Sequence, residues 1–193
     1  MTVLHTARLE LRPWRADDLA PFAALNNDPE VMQFMPACLS RAESDALAGR
    51  AAVMLAERGW GLWALATEPQ QEFLGYVGLA EPSFAAAFTP CTEILWRLKR
   101  TAWGHGYAAE AARACLRYAF GTLALAEVVA FTVPANLRSR ALMERLGMRR
   151  DHGGDFEHPR LPPGHPLRPH LLYRFARDAW VTAEASRAGP AGG

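Results

Sequence analysis

Apolar and charged residues alternate along residues 8–14 (RLELRPW), the period-two signature of a half-buried strand. Asp17 and Asp18 then open a helical stretch to about Asn27, and Asp28-Pro29 starts a short helical turn over EVMQFM. Ser40-x-x-Glu43 is a capping box, in which hydroxyl and carboxylate satisfy free amides at a helix start. It predicts an Ala-rich helix to about Arg58, stopped at Gly59. Trp60–Ala66 and Glu72–Ala80 flank the polar turn TEPQQ and predict a hairpin. Residues 91–98 (CTEILWRL) predict another strand. Beyond Gly106, Ala108, Ala111, Ala112, Cys115, Ala119 and Phe120 form an apolar helical stripe opposite Glu110, Arg113 and Arg117. Val128–Val133 is a β-branched strand ended by Pro134. Leu137–Leu146 is a helix stopped by Gly147. Residues 151–170, rich in Pro, Gly and His, predict a long ordered loop, 171–176 a last strand and Asp178–Arg187 a short helix. Residues 188–193 are expected to be a frayed tail. No internal repeat is present.

A run of strands beside β-α-β units predicts an α/β (α+β) fold. The expected architecture is a single domain over residues 1–187, with a mixed, mostly antiparallel twisted sheet of six to seven strands and helices on both faces. The 193 residues, half hydrophobic and 21% charged, suffice for one core and exclude disorder for most of the chain. No apolar run approaches the roughly 18–20 residues of a bilayer span. Arg8, Glu10, Arg12 and Arg15 interrupt the apolar character of the first stretch, so neither a leader nor a membrane partner is expected. Cys38, Cys91 and Cys115 are odd in number and widely spaced, which predicts a reduced, cytoplasmic setting. The net charge of +1 conceals an asymmetry: residues 1–90 hold six basic and eleven acidic residues, residues 91–193 fifteen and nine. A basic second half suits a polyanion or a phosphate-bearing cofactor.

Trp96–Ala112 (WRLKRTAWGHGYAAEAA) carries the chemistry. A strand runs into a short turn with Gly104 and Gly106, then into a helix N-terminus. Glycines let backbone amides approach a ligand, and the first helical turn leaves amides unpaired at the positive end of the macrodipole. Together they suit a pyrophosphate, with Arg97, Lys99 and Arg100 adding positive charge. On its own the GxG is equally the mark of a tight turn.

The turn Thr101-Ala102-Trp103-Gly104-His105-Gly106, followed by Tyr107-Ala108-Ala109-Glu110-Ala111, resembles the acetyl-CoA signature of the GNAT superfamily of N-acetyltransferases. Thr101 stands where the family usually has Gln or Arg, a place thought to act through its backbone. WGxGYAxEA resembles the branch of the ribosomal-protein-alanine N-terminal acetyltransferases. Two further segments resemble that branch: Thr6–Trp14 through Asp28-Pro29-Glu30-Val31-Met32, and Asn136-x-x-Ser139 with Glu144–Met148.

The resemblance implies the acyl-CoA N-acyltransferase fold and direct transfer of an acetyl group from acetyl-CoA, a co-substrate, to an amine in a ternary complex. It assigns the oxyanion-stabilising amide to the vicinity of Leu98, and pantetheine pairing to Trp96 and Leu98. It assigns cofactor contacts to Arg100, Trp103, Gly104, His105, Gly106, Tyr107, Ala108, Asn136 and Ser139. Asn136 reads equally as a helix N-cap. Met143 occupies the place of the tyrosine that many members use as thiolate donor, so Ser139 is the substitute, against an alternative as a capping serine. The general base is expected to be Glu157 first and Glu93 second, with His158 or a water chain as alternatives. Strands are expected to splay after Leu98 and at Val133. The acceptor region is expected from Pro29–Glu57 and the 151–170 loop. A protein α-amino group, an amino acid, a polyamine and an antibiotic all fit as acceptor.

Three competing readings remain in view. His152, His158, His165 and His170 with Asp155 and Glu157 match no metal-ligand spacing, so no metal is expected. A catalytically silent CoA- or nucleotide-binding module would keep the glycine turn and need no base. Nucleic-acid binding is not expected: the positive excess is small, and the arginines of the one Arg-dense stretch, Leu137–Arg150, more simply solvate an exposed face or meet the CoA phosphates. Six tryptophans and nine phenylalanines leave a homodimer open.

Overall fold

The computed structural model describes residues 2–188, and the chain packs as two compact units. The first holds residues up to Ala80 and Ile94–Cys115; the second holds Glu81–Glu93 and the chain from Leu116 onward.

In the first unit β1 (Leu4–His5) pairs antiparallel with β2 (Leu9–Arg12), β2 with β3 (Leu62–Thr67), and β3 with β4 (Phe73–Ala80). β4 neighbours β5 (Glu93–Leu98), all of which but Glu93 belongs to this unit. Helices α1 (Leu19–Asn26), α2 (Pro29–Met32) and α3 (Arg41–Arg58) lie between β2 and β3 in sequence. The α3 capping box forms as its spacing predicts: Ser40 Oγ accepts from the Glu43 amide at 3.3 Å, and Glu43 Oε2 accepts from the Ser40 amide at 2.8 Å. Gly59, at φ +76°, ends the helix in the left-handed region. The core gathers Leu9, Leu11, Phe22, Trp63 and Leu65, all fully buried, with Trp14, Phe73 and Tyr76 packed around Phe22. Arg12 and Asp18, both buried, form a two-point ion pair at 2.7 and 2.8 Å that ties β2 to the start of α1. Two-point geometry offsets the desolvation that such burial costs.

In the second unit β6 (Glu127–Thr132) pairs antiparallel with β8 (Pro169–Ala176), and β8 with β7 (Arg149–Glu157). Glu93, the first residue of β5, pairs parallel with Val129, and the Val129 amide donates to Thr92 O at 2.9 Å. The helix α4 (Tyr107–Gly121) contributes its last residues here, with α5 (Leu137–Leu146) and α6 (Arg177–Ala188). Phe120, Phe175 and Trp180 pack as one aromatic group.

The fold class is as expected, a mixed and mostly antiparallel α/β arrangement, with eight strands among the described residues where six to seven are expected. One addition, β1, is two residues long and shows no periodicity. The other, β7, corrects the reading of 151–157 as loop. Its glycines mark a bulge: the register shifts between Asp151 and Phe156, and Asp151 Oδ1 accepts from the Gly153 and Gly154 amides at 3.1 Å each. A β-carbon on Gly154 would lie 2.5 Å from Leu172 Cδ2 and 2.7 Å from Asp151 Oδ2, so both side chains would have to shift to admit one. Residues 158–168 remain a loop, closed by a bond from the His158 amide to Arg168 O at 2.8 Å. The tail expected at 188–193 falls on the end of α6 at Ala188 and otherwise lies outside the described residues. No helix among the described residues is long and apolar enough to cross a membrane.

Candidate active site

The glycine turn belongs to the first unit. β5 ends at Leu98, a 3-10 turn spans Arg100–Ala102, and α4 begins at Tyr107. Gly104 and Gly106 sit at φ +81° and +80°, a left-handed conformation that L side chains rarely adopt. A β-carbon on Gly104 would meet nothing within 4 Å, so backbone dihedral rather than crowding calls for glycine. The Glu110 amide closes the first helical bond, to Gly106 O at 3.1 Å. The amides before it have no acceptor within the helix.

The turn is braced from both sides. Trp103 Nε1 donates to Leu98 O at 2.9 Å, fixing the exit of β5. Glu110 Oε1 accepts from Thr6 Oγ1 at 2.6 Å and from the Arg8 amide at 3.1 Å, while its Oε2 accepts from Arg8 Nε at 2.8 Å. The Arg8 guanidinium also covers the Tyr107 ring at 4.7 Å. Burial raises the Glu110 pKa, but Thr6 and Arg8 outweigh it and hold this carboxyl below its ordinary range. Both ends of this brace, Thr6-Ala7-Arg8 and Glu110, lie in segments that carry the family resemblance, but about a hundred residues separate them and no local pattern joins them. His105 stacks on Tyr107 at 5.5 Å.

Two of the three cations upstream of the turn face carboxylates, and the third a neutral amide. Lys99 pairs with Glu72, and Arg100 Nη1 with both oxygens of Glu30 at 3.0 Å. The Arg100–Glu30 pair is exposed, so it holds Arg100 only weakly. Arg97 donates to Asn26 Oδ1 at 2.6 Å. Trp96 is half-buried and Leu98 buried.

The remaining candidates belong to the second unit. Asn136 caps α5, its Oδ1 accepting from the Ser139 amide at 3.2 Å and its Nδ2 donating to Thr132 Oγ1 at 3.0 Å. The cap is therefore observed, and one amide N–H and one oxygen lone pair are left for a ligand. Ser139 is half-buried, and its hydroxyl has no hydrogen-bond partner among the described residues. Met143 is buried, in the helix interior facing the core.

Glu93 and Glu157 differ sharply. Burial pushes the Glu93 carboxyl up to about 8. Cys91, two residues away, is pushed up to about 11 by burial and by the Glu93 charge. Glu157 is exposed and pairs with Arg168 Nε at 2.9 Å. His158 packs 4.7 Å from Phe84 and 5.1 Å from His170, and burial lowers the pKa of both histidines.

Among the described residues, His5, Glu10 and Glu68 bring ligand atoms within 4.8 Å of one another. Arg12 and Arg15 already face Glu10 at 3.8 Å and His5 bonds Glu68 at 2.8 Å, so the group is explained as an ion-pair network.

Comparison with known proteins bears on the whole arrangement. The family described as Acetyltransferase (GNAT) domain matches residues 8–149. The chain is 34% identical over 188 residues, 92% of its length and 77% of the relative's, to FsC-acetyl coenzyme A-N(2)-transacetylase of Aspergillus fumigatus. An acetyltransferase structure from Agrobacterium tumefaciens superposes with a TM-score of 0.73 at 28% identity, covering 91% of this chain and 94% of that one. RimL, a ribosomal L7/L12 alpha-N-protein acetyltransferase in complex with coenzyme A, shares the fold with a TM-score of 0.72 at 15% identity, over 92% and 99% of the two chains. With the family signature matching well over half of its residues and a glycine turn of the required handedness, this chain belongs to the GNAT acetyltransferases.

Proposed function

We propose that this acetyl-CoA-dependent N-acetyltransferase moves the acetyl group to a primary amine by direct attack, with no acyl-enzyme. The observation that carries the reading is the left-handed pair Gly104 and Gly106 immediately before the 15-residue helix α4. The unpaired amides there suit the diphosphate of the co-substrate, which supplies an activated thioester carbonyl when bound.

Each residue's role follows from its chemistry. The main chain near Leu98 would hydrogen-bond the carbonyl oxygen as negative charge develops on it. Glu93, with a pKa near neutrality, would take the proton that the ammonium group must lose before its nitrogen bonds the carbonyl carbon. Ser139 Oγ would donate a hydrogen bond to the departing sulfur as the C–S bond breaks, and Asn136 would hold the pantetheine arm. Glu157 stands behind Glu93 because Arg168 already neutralises it. Trp96, Trp103, His105, Tyr107, Ala108 and Arg100 would line or neutralise the cofactor. A silent binding module would give no task to a half-buried Glu93 that has no paired cation among the described residues.

Isothermal calorimetry with coenzyme A, paired with thiol release from acetyl-CoA over a panel of amines, tests the reading. Gly106→Ala is expected to weaken coenzyme A binding about tenfold, since alanine at φ +80° costs about 1–2 kcal/mol. Wild-type binding without heat, or an unchanged affinity in the variant, would sink it.

A further inference from the structure

The acetyl-transfer reading leaves the acceptor open, and one side chain of the first unit bears on it. Arg97 lies on β5 directly before Leu98 and is half-buried. Its neighbours Lys99 and Arg100 each face a carboxylate, Glu72 and Glu30. Arg97 faces none among the described residues. Its Nη1 donates to Asn26 Oδ1 at 2.6 Å, its Nη2 to Met35 Sδ at 3.1 Å, and its guanidinium lies 5.5 Å from the Tyr76 ring centroid. All three partners are neutral. A guanidinium carries five N–H donors, so three have no acceptor among the described residues.

The group is also held in place. Asn26 and Ser44 are completely buried, and Asn26 Nδ2 donates to Ser44 Oγ at 2.8 Å. That bond turns the amide oxygen toward Arg97. Helices α1 and α3 thus fix the guanidinium from behind without cancelling its charge. A half-enclosed cation fixed by neutral groups is costly on its own and well suited to an anion. Arg is also the side chain whose planar fork matches a carboxylate at two points.

We propose that Arg97 docks a carboxylate of the acceptor, so that the amine substrate is one that also carries a carboxylate group. The proposal rests on the acetyl-transfer reading, because that reading puts the reacting carbonyl beside Leu98. Two sources share this chemistry: a free amino acid, and a peptide N-terminus with an acidic side chain close to its α-amine.

The test uses the full chain, acetyl-CoA and matched acceptors. Amino acids are compared with their α-carboxamides, and short peptides with Glu or Asp at the first two positions with their Gln or Asn counterparts. The wild type is expected to favour the carboxylate member of one set by roughly tenfold to a hundredfold in kcat/KM, expressed mainly in KM. Which set shows it identifies the source. Arg97→Gln should collapse that ratio, and Arg97→Lys should keep part of it. Comparing ratios between variants cancels differences in amine basicity and in overall stability. A ratio that survives Arg97→Gln, or equal kcat/KM within every wild-type pair, overturns the proposal. If Arg97→Gln does not fold, the wild-type and Arg97→Lys ratios still decide. If no amine is turned over, the transfer reading fails, and calorimetry of the same pairs judges Arg97 separately. Carboxylate-selective binding lost in the variant upholds it, and no such binding overturns it.

Discussion

Glu93 and Glu157 are chemically alike, and their surroundings alone prepare them for different work. A carboxylate accepts a proton efficiently when its pKa lies near the working pH. Burial raises Glu93 from 4.5 to about 8, with no paired cation among the described residues, whereas Glu157 is solvated beside Arg168. Activity through Glu93 requires its ionised form, so kcat/KM should climb with pH and level off above about 8. Glu93→Gln is expected to lower kcat by about a hundredfold or more and to abolish that rise, while Glu157→Gln should leave it in place. A rise that persists in Glu93→Gln would remove this residue as base. Both carboxylates were visible in the sequence as candidates. Their order of preference was not, because it depends on Arg168, eleven residues from Glu157, and on burial that no local pattern encodes. Ser44 and Asn26 escaped for the same reason, and Arg97 reads in the sequence only as positive charge beside the glycine turn: the three lie far apart in the chain, and nothing periodic links them.

Elements were most legible where local chemistry alone decides them. Leu137–Leu146 is a helix with the predicted bounds, because an Asn cap and a terminal Gly define it locally. Residues 151–157 were misread because Gly153 and Gly154 look like a loop until Asp151 and Leu172 come together around them. Glycines mean opposite things in different elements, and this gives a paired test. Gly75 in β4, at φ +142°, would carry its β-carbon 2.1 Å from Arg97 O and 2.8 Å from Leu98 Cα. The strand that holds the site's main chain approaches β4 this closely only because no side chain intervenes. Gly49 lies exposed within α3, with nothing within 4 Å of a β-carbon. Gly75→Ala should cost about 3 kcal/mol or more, from a backbone clash that no rotamer relieves. Gly49→Ala should stabilise by about 0.5–1 kcal/mol. Urea unfolding of both variants checks the pair, and a tolerated Gly75→Ala would contradict the close strand approach.

At the scale of the whole molecule, the shifted groups predict how stability varies with pH. Glu93 keeps its proton in the folded protein up to about 8 but loses it near 4.5 when unfolded. Its contribution is therefore full below 4.5 and declines as pH rises toward 8. His158 and His170 act in the opposite sense, since burial lowers both below 6.5. Their contribution is full above 6.5 and is lost as pH falls through their depressed values. Asp151, lowered by its hydrogen bond from Arg174, weakens the fold only under more acidic conditions, below its ordinary 3.8. Just below 6.5 the histidines oppose the glutamate; from 6.5 to 8, of these groups, the glutamate alone has a slope. Thermal stability should therefore fall from pH 6.5 toward pH 8. Glu93→Gln removes the alkaline decline while leaving the acid side to the histidines, so its Tm should exceed that of the wild type by more at pH 8 than at pH 5. Melting curves at the two pH values suffice. Equal Tm differences at both would mean that Glu93 is ionised throughout, which would also deprive it of the near-neutral pKa on which its role as base depends.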